Sequence, residues 1–304
     1  LLRLMRPVIE SSENPVVSAG VVRIRNGCEA VGGRIRRIGL PRRWIEMLQV
    51  VEYLRNFLLG RAGWGPLGGT LIVSGAMAVF ERQTVVDAGG FDARMVSEDM
   101  ELIVRLHHRA TEKKRQTKMA FTPETVCWTE CPKTVAMLAR QRRRWHLGLC
   151  QSLHSHLGMN FNPRFGIVGV FSFPFHLFVE GLGAAVELFG YLLVPLAFVL
   201  HVALISFYIP LVLLSLVYAS LLSVGAVLAE ELLAHRYPAR SDLYSLLKWS
   251  LFENFGFRQL LLWFRFQGLL RFLGGARNWE KVAHSAGSAA SSATGGSAGA
   301  EASA

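Results

Sequence analysis

From Ala203 to Ala229 the chain carries no charged residue, and from Gly166 to Val202 its only charges are Glu180 and Glu187. A helix in water needs a polar face, and the second of these stretches has none. The two together are too long for one crossing, because about 20 apolar residues span a bilayer. The pattern therefore predicts two membrane helices, near 168–200 and 204–231, joined by a short turn around 201–207. A buried hairpin in a soluble protein is the alternative, and the uncharged second stretch argues against it. Composition points the same way, with 51% hydrophobic and 18% charged residues among 304. Such a chain is not disordered throughout. Its unpatterned glycines and four cysteines also exclude a collagen-like or disulfide-scaffold chain.

Charge divides the chain in two. Residues 1–160 hold 24 Lys+Arg against 14 Asp+Glu, whereas residues 161–304 hold 9 against 8. The first part reads as a basic, water-facing domain, suited to anionic lipid or a phosphorylated substrate. No nucleic-acid module is recognisable, so nucleic acid is not an expected partner. The short turn between the apolar stretches has no Lys or Arg, while Arg142, Arg143, Arg144 and Arg164 precede them and Arg236 and Arg240 follow. The positive-inside rule then puts the basic domain and the 232–242 loop in the cytoplasm and the 201–207 turn outside. The expected location is the inner or plasma membrane, multi-pass.

The segment 243–283 begins with an apolar run, Leu243 to Leu273, that carries Lys248, Glu253, Arg258, Arg265 and Arg271. That density of charge suits an interfacial or packed helix, with a third crossing as the alternative. Residues 284–304 are Ser/Ala/Gly-rich and read as a disordered tail. The chain opens in a helix-like run, Leu1 to Arg6, without an initiating Met or a signal peptide. It is expected to be a piece of a longer protein.

Within the basic half, Val16–Ile24 reads as a buried strand followed by an Asn26-Gly27 turn, and 45–59 as a helix stopped by Gly60. Thr70–Phe80 reads as strand-rich, interrupted at Ser74-Gly75-Ala76. Met119–Val126 is a strand candidate. Cys127 and Cys131 lack a neighbouring His, so free thiols are favoured over a zinc site.

Two motifs carry candidate chemistry. Ser97-Glu98-Asp99 follows a tight Gly89-Gly90-Phe91 turn and opens a helix. A carboxylate there can act as a general base, or can simply favour the positive end of the helix dipole. Farther on, Gln141-x-x-Arg144-Trp145 puts an amide, a guanidinium fork and a flat apolar ring on one helix face. A membrane-surface anchor explains that segment equally well on its own.

Their order decides between these readings. The Gly-Gly-Phe turn, Glu98-Asp99, Thr129-Glu130-x-Pro132, Gln141-x-x-Arg144-Trp145 and then membrane helices resemble the processive family-2 glycosyltransferases, the group of cellulose, hyaluronan and poly-N-acetylglucosamine synthases. The resemblance covers about residues 1–282. It implies an α/β fold: part of a glycosyltransferase A-type, Rossmann-like catalytic domain over 1–160, followed by an α-helical transmembrane region over 161–242. By the same resemblance, Asp99 is the general base, with Glu98 beside it. Gln141 and Arg144 hold the donor diphosphate, and Trp145 lies under the acceptor sugar. Ser74 and Gly75 fall where the family has a small-residue loop near the acceptor. The implied reaction is inverting transfer from a nucleotide-sugar donor, of the UDP-sugar type, to a growing glycan. Membrane lipid and accessory secretion subunits are the further partners. The family's Asp-x-Asp metal motif is absent, since no Asp precedes Asp87. Mg²⁺ or Mn²⁺ is thus expected in the full-length parent with ligands outside this chain, and the fragment is expected to be inactive alone. A non-processive transferase acting on a lipid carrier, or a non-catalytic membrane transporter or anchor that uses Glu180 and Glu187, are the competing readings.

Overall fold

The structure, a computed structural model, describes residues 1–10, 16–113, 119–201, 205–233, 236–237 and 239–276. The Ser/Ala/Gly-rich tail and Asn278–Glu280 lie outside the described residues.

The frame is a three-stranded mixed sheet. Its central strand, β1 (Val17–Ile24), is buried along its whole length and combines β-branched residues with small ones. That composition suits a strand covered on both faces. After a first helix, α1 (Leu2–Glu10), and β1, an exposed hairpin follows, β2 (Glu29–Val31) and β3 (Arg34–Arg37). Helix α2 (Trp44–Leu54) comes next; its helical path continues through a π-type turn, Arg55–Arg61, into α3 (Ala62–Trp64). Gly60 therefore does not stop this helix as the sequence predicted, and the wider turn carries the backbone past it. Strand β4 (Ala78–Phe80) pairs antiparallel with β1, and β5 (Met119–Thr129) pairs parallel with its other edge. Of the expected strand-rich stretch only Ala78–Phe80 is strand. Thr70–Ser74 is neither helix nor strand, and the chain turns at Ser74-Gly75-Ala76.

Helices cover both faces of the sheet. Val17 and Ala19 pack on Leu102, Ile103 and Leu106 of α5 (Glu98–Glu112), which follows the short α4 (Arg82–Asp87). Val21, Val22 and Ile24 pack on α2 and on the membrane-like segment beyond. Helix α6 (Val135–Ser155) starts at Thr134, whose hydroxyl accepts the Met137 N–H at 3.3 Å. It is wedged between α5, through Leu149 and Leu153, and α2, through Leu138 and Ala139.

The apolar half departs from two straight spans. Its first part is broken into π-helical pieces, Val168–Ser172 and Phe175–Gly181, on either side of Phe173-Pro174, and then α7 (Gly183–Val199), bent by 44° from the preceding helix. Proline lacks the N–H that a regular ladder requires. Helix α8 (Ile205–Leu233) is continuous, and its Tyr208–Leu233 portion is long and apolar enough to cross a membrane by itself. The bent pair before it passes the same test only if taken together. The segment predicted as one helix over 243–273 is two: α9 (Arg240–Phe252) and α10 (Phe257–Leu273). Gly256 at φ +86° lies between them, a conformation open mainly to glycine.

Both acidic residues of the first apolar stretch have partners. Glu180 lies 3.4 Å from Arg265 and Glu187 3.7 Å from Arg258, so carboxylates seven residues apart meet guanidinia seven residues apart on α10. Helix α8 is tied to the sheet in a similar way. Arg23 of β1 pairs with Glu230, both buried, and Arg55 pairs with Glu253 at 2.7 Å beside Ser223.

Candidate active site

Asp99 occupies the first turn of α5. Its Oδ2 accepts the Gly75 N–H at 2.9 Å, and its Oδ1 accepts the Met100 N–H at 2.8 Å. The carboxylate thus faces the Ser74-Gly75-Ala76 turn, and two sequence candidates sit in direct contact. A Cβ at position 75 would lie 2.9 Å from Asp99 Oδ2, so glycine permits the approach. Ionised carboxylates offer about four acceptor positions, which leaves capacity for an incoming hydroxyl. Glu98 is exposed, and the hydrogen bonds of this contact join only Asp99, Gly75 and Met100. Ser97 is the N-cap residue, but its side chain caps nothing.

The loop that carries the turn is tied at both ends. Ser74 O accepts the Met77 N–H at 3.0 Å, and Met77 O accepts the Gly20 N–H of β1 at 3.1 Å. Where the loop begins, the buried His107 ring lies 3.0 Å from Thr70 O through Nε2. Burial lowers the His107 pKa to about 4, so the neutral ring donates there at neutral pH. Farther along α5, Arg105 donates to Ala88 O at 2.5 Å and Gly90 O at 2.6 Å, clamping the Gly89-Gly90 turn, whose φ angles are +89° and +73°. Arg105 is oriented by Glu101. Burial raises the Glu101 pKa, but hydrogen bonds from His156 and Arg105 outweigh it and hold the carboxyl below its ordinary value.

Helix α6 brings the second motif alongside. Gly148 lies so close to Ser97 that an added Cβ would sit 2.0 Å from Ser97 Oγ. Gln151 Oε1 accepts the Val96 N–H at 3.2 Å. Arg144 and Trp145 stand four and three residues before Gly148, one turn along α6 from its contact with the Asp99 helix. Arg144 is exposed and makes no hydrogen bond or ion pair with the described residues. Gln141 Oε1 is buried and without a partner among the described residues. Unengaged polar groups of this kind suit a polar ligand.

Trp145 is 38% exposed, and its other contacts are built. The Arg142 guanidinium lies 4.4 Å from its ring centroid, and the Tyr53 ring lies at 6.5 Å. Arg142 in turn pairs with Glu52 of α2 at 2.7 Å, both nearly fully buried. A membrane-surface anchor would leave Arg142 at the surface; here it is buried instead. Neighbouring helices surround α6, so a position off one face meets another helix, not water. Arg143 is half-buried, with Nε on Ala139 O at 3.1 Å.

Glu52 and Tyr53 escaped the sequence reading. One signal was available: Glu46, Gln49 and Glu52 recur every three residues in an otherwise apolar helix, and all are buried. Each has a partner. Glu46 accepts from Asn26 at 2.8 Å, Gln49 donates to Pro132 O at 2.9 Å, and Glu52 takes Arg142. The Thr129-Glu130-x-Pro132 motif is accordingly a clamp between β5 and α2, with exposed Glu130 paired to Arg25. The four cysteines are unpaired thiols. Among the described residues no group of three or more His, Cys, Asp and Glu side chains could hold a metal ion.

The Gly148 contact supplies a direct test. Gly148→Ala is expected to force α6 away from Ser97 at a cost of about 1–3 kcal/mol and to depress transfer activity. Thermal unfolding and a sugar-transfer assay read both effects; an unchanged midpoint would show that α6 and α5 are not in register as described.

The α5 start that carries Asp99 thus packs, through Ser97, on the helix that carries Gln141, Arg144 and Trp145. The family described as glycosyl transferase family group 2 matches residues 38–224, more than half of the chain, and the chain belongs to it. The family implies the glycosyltransferase A-type fold, to which the mixed sheet and its covering helices conform. The chain is 29% identical over 101 residues to the poly-beta-1,6-N-acetyl-D-glucosamine synthase of Staphylococcus aureus (strain COL), covering 33% of this chain and 23% of that protein. It is 27% identical over 138 residues to the synthase of the same name from Staphylococcus epidermidis, covering 45% and 29%. The chain thus spans about a quarter of the length of the curated relatives it matches.

Proposed function

We propose that this chain belongs to a membrane enzyme that moves a sugar, with inversion, from a nucleotide-sugar donor to a growing polysaccharide. The observation that carries the reading is Asp99 held by the Gly75 N–H at the start of α5, which meets α6 at the Ser97–Gly148 contact, one turn along α6 from Arg144 and Trp145. The acceptor hydroxyl gives its proton to the Asp99 carboxylate as its oxygen attacks the anomeric carbon. The bond from that carbon to the diphosphate breaks, and the electron pair leaves with the diphosphate. Arg144 meets the developing charge with its planar fork and Gln141 adds an amide donor. The exposed part of the Trp145 ring offers the acceptor sugar an apolar floor. One carboxylate suffices, since inversion is a single in-line displacement.

A divalent Mg²⁺ or Mn²⁺ beside the diphosphate is part of the proposal. The described residues do not furnish a cluster fitted to hold it, and no step above passes through it. The single continuous apolar helix α8, together with the bent pair, supports residence in the cell membrane with the catalytic part cytoplasmic. Its outward surface, including Leu211, Leu214, Val217, Tyr218 and Leu221, is exposed apolar area of a kind water disfavours. The pairing of Glu180 and Glu187 with α10 removes the support they lent to a non-catalytic transporter. Accessory subunits would carry the polymer onward.

The test uses membranes from cells expressing the whole coding sequence, supplied with labelled UDP-N-acetylglucosamine or UDP-glucose. The similar synthases are named for poly-beta-1,6-N-acetyl-D-glucosamine, which makes the first the leading donor. A ladder of polymer is the expected product. A single lipid-linked sugar would assign the non-processive reaction, and no incorporation from any nucleotide sugar would overturn the reading.

A further inference from the structure

We propose that the β2–β3 hairpin, with Arg42 and Arg43 behind it, is an electrostatic foot that grips anionic lipid headgroups at the membrane surface. This rests on the reading of α8 as a membrane span. From Arg25 through Ile45 the chain holds six arginines, Arg25 included, and one acidic residue, Glu29. Arg25 is engaged by Glu130. Arg34, Arg36, Arg37 and Arg42 are exposed and make no hydrogen bond or ion pair with the described residues. Arg43 is exposed too, and its Nη1 only touches Lys133 O at 3.5 Å. Glu29 stands opposite Arg37 in the ladder and offsets one of these charges.

The hairpin's position gives the charge a direction. Its tip is Gly32-Gly33, at φ +58° and +75°, the tight turn such dipeptides favour. Its neck is closed. Gly27 lies so near Leu40 that an added Cβ would sit 2.3 Å from the Leu40 carbonyl carbon, and Cys28 Sγ donates to Gly39 O at 3.5 Å. Ile38 and Leu40 then pack against the core cluster to which Ala226 and Val227, in the last turns of α8, and Tyr237 belong. Immediately before the hairpin, Arg23 is paired with Glu230 of the same turns. These turns are where the apolar run of α8 ends in Glu230-Glu231, so a spanning α8 puts the neck at the lipid–water boundary. Five residues of strand extend about 17 Å at most, so the tip stays near the headgroup layer.

The chemistry fits a leaflet better than a small phosphate ligand. The guanidinia are spread along an open ribbon, exposed on both its faces, and converge on no pocket. A diphosphate site needs converging donors; a charged sheet of lipid needs only density of charge. Val31 near the tip and Trp44 after Arg43 are 55% and 50% exposed, apolar groups suited to the interface.

The test places the intact protein in nanodiscs of phosphatidylcholine alone, or of phosphatidylcholine with phosphatidylglycerol, and follows amide hydrogen exchange over residues 29–37. Each basic residue near an anionic leaflet strengthens binding about fivefold. Exchange at least about tenfold slower in the anionic discs is therefore expected, reversed by molar salt. The protection should vanish in the Arg34→Gln/Arg36→Gln/Arg37→Gln/Arg42→Gln variant, whose substitutions are all on the surface. Equal exchange in the two lipids overturns the proposal while leaving the membrane reading in place. Protection by inorganic pyrophosphate in neutral discs would overturn it in favour of a soluble phosphate ligand. Co-elution with anionic discs only would retire the spanning α8 and leave the hairpin as a peripheral lipid site. Co-elution with neither disc overturns both.

Discussion

Asp99→Asn in the intact protein is expected to lower sugar transfer by about 10²–10⁴-fold, the usual cost of removing a general base. The amide keeps the volume of the carboxylate and still offers an oxygen to the Gly75 N–H, 2.9 Å away in the parent. It cannot take the acceptor's proton at neutral pH. Nucleotide affinity should hold nearly constant, since Gln141 and Arg144 on α6 are untouched. The measurement is turnover of labelled nucleotide sugar beside equilibrium binding of the nucleotide. Near-normal turnover would leave Asp99 as a structural link between the Gly75 turn and α5.

Glu52→Ala carries the other large effect. Glu52 and Arg142 are 2.7 Å apart, each with 6% of its side chain exposed. Removing one member strands a buried charge, which typically costs about 3–5 kcal/mol. The Arg142 guanidinium, 4.4 Å from the Trp145 ring, then loses the partner that holds it there. Lower thermal stability and weaker acceptor use are expected together. Arg142→Lys should impair transfer as well, because a point charge cannot both pair with Glu52 and lie flat on the indole. The double variant Glu52→Leu/Arg142→Met separates the two consequences. It should regain much of the stability, as replaced buried pairs often do, while transfer stays low. Wild-type transfer by the double variant would show that Trp145 needs no support from this pair.

These expectations divide according to where their evidence lies. Asp99, Gln141, Arg144 and Trp145 are legible as types and spacings: a carboxylate at a helix start, and an amide, a fork and a ring at helical offsets. Such information is local, and local geometry follows from the helix period. The Gly75 contact with Asp99 joins residues 24 positions apart in sequence, and Gly75 was a candidate only through resemblance. Arg142 shows the limit most plainly. Helical spacing separates it correctly from the Gln141–Arg144 face, but spacing alone says nothing about what stands on the other side.

By itself, then, the sequence determined the family, through the resemblance its ordered motifs carry, together with the buried central strand and the apolar character of the second half. The last two rest on composition or period within a short window. Only the tertiary structure decided that α6 lies against Ser97, that Glu52 of α2 backs Trp145 through Arg142, and that Glu180 and Glu187 face Arg265 and Arg258 of α10. It also decided where the first apolar stretch breaks and bends by 44°. The reason is physical. A buried charge is stable only beside its partner, and the partner is chosen by the packing of helices distant in sequence, which no local pattern records.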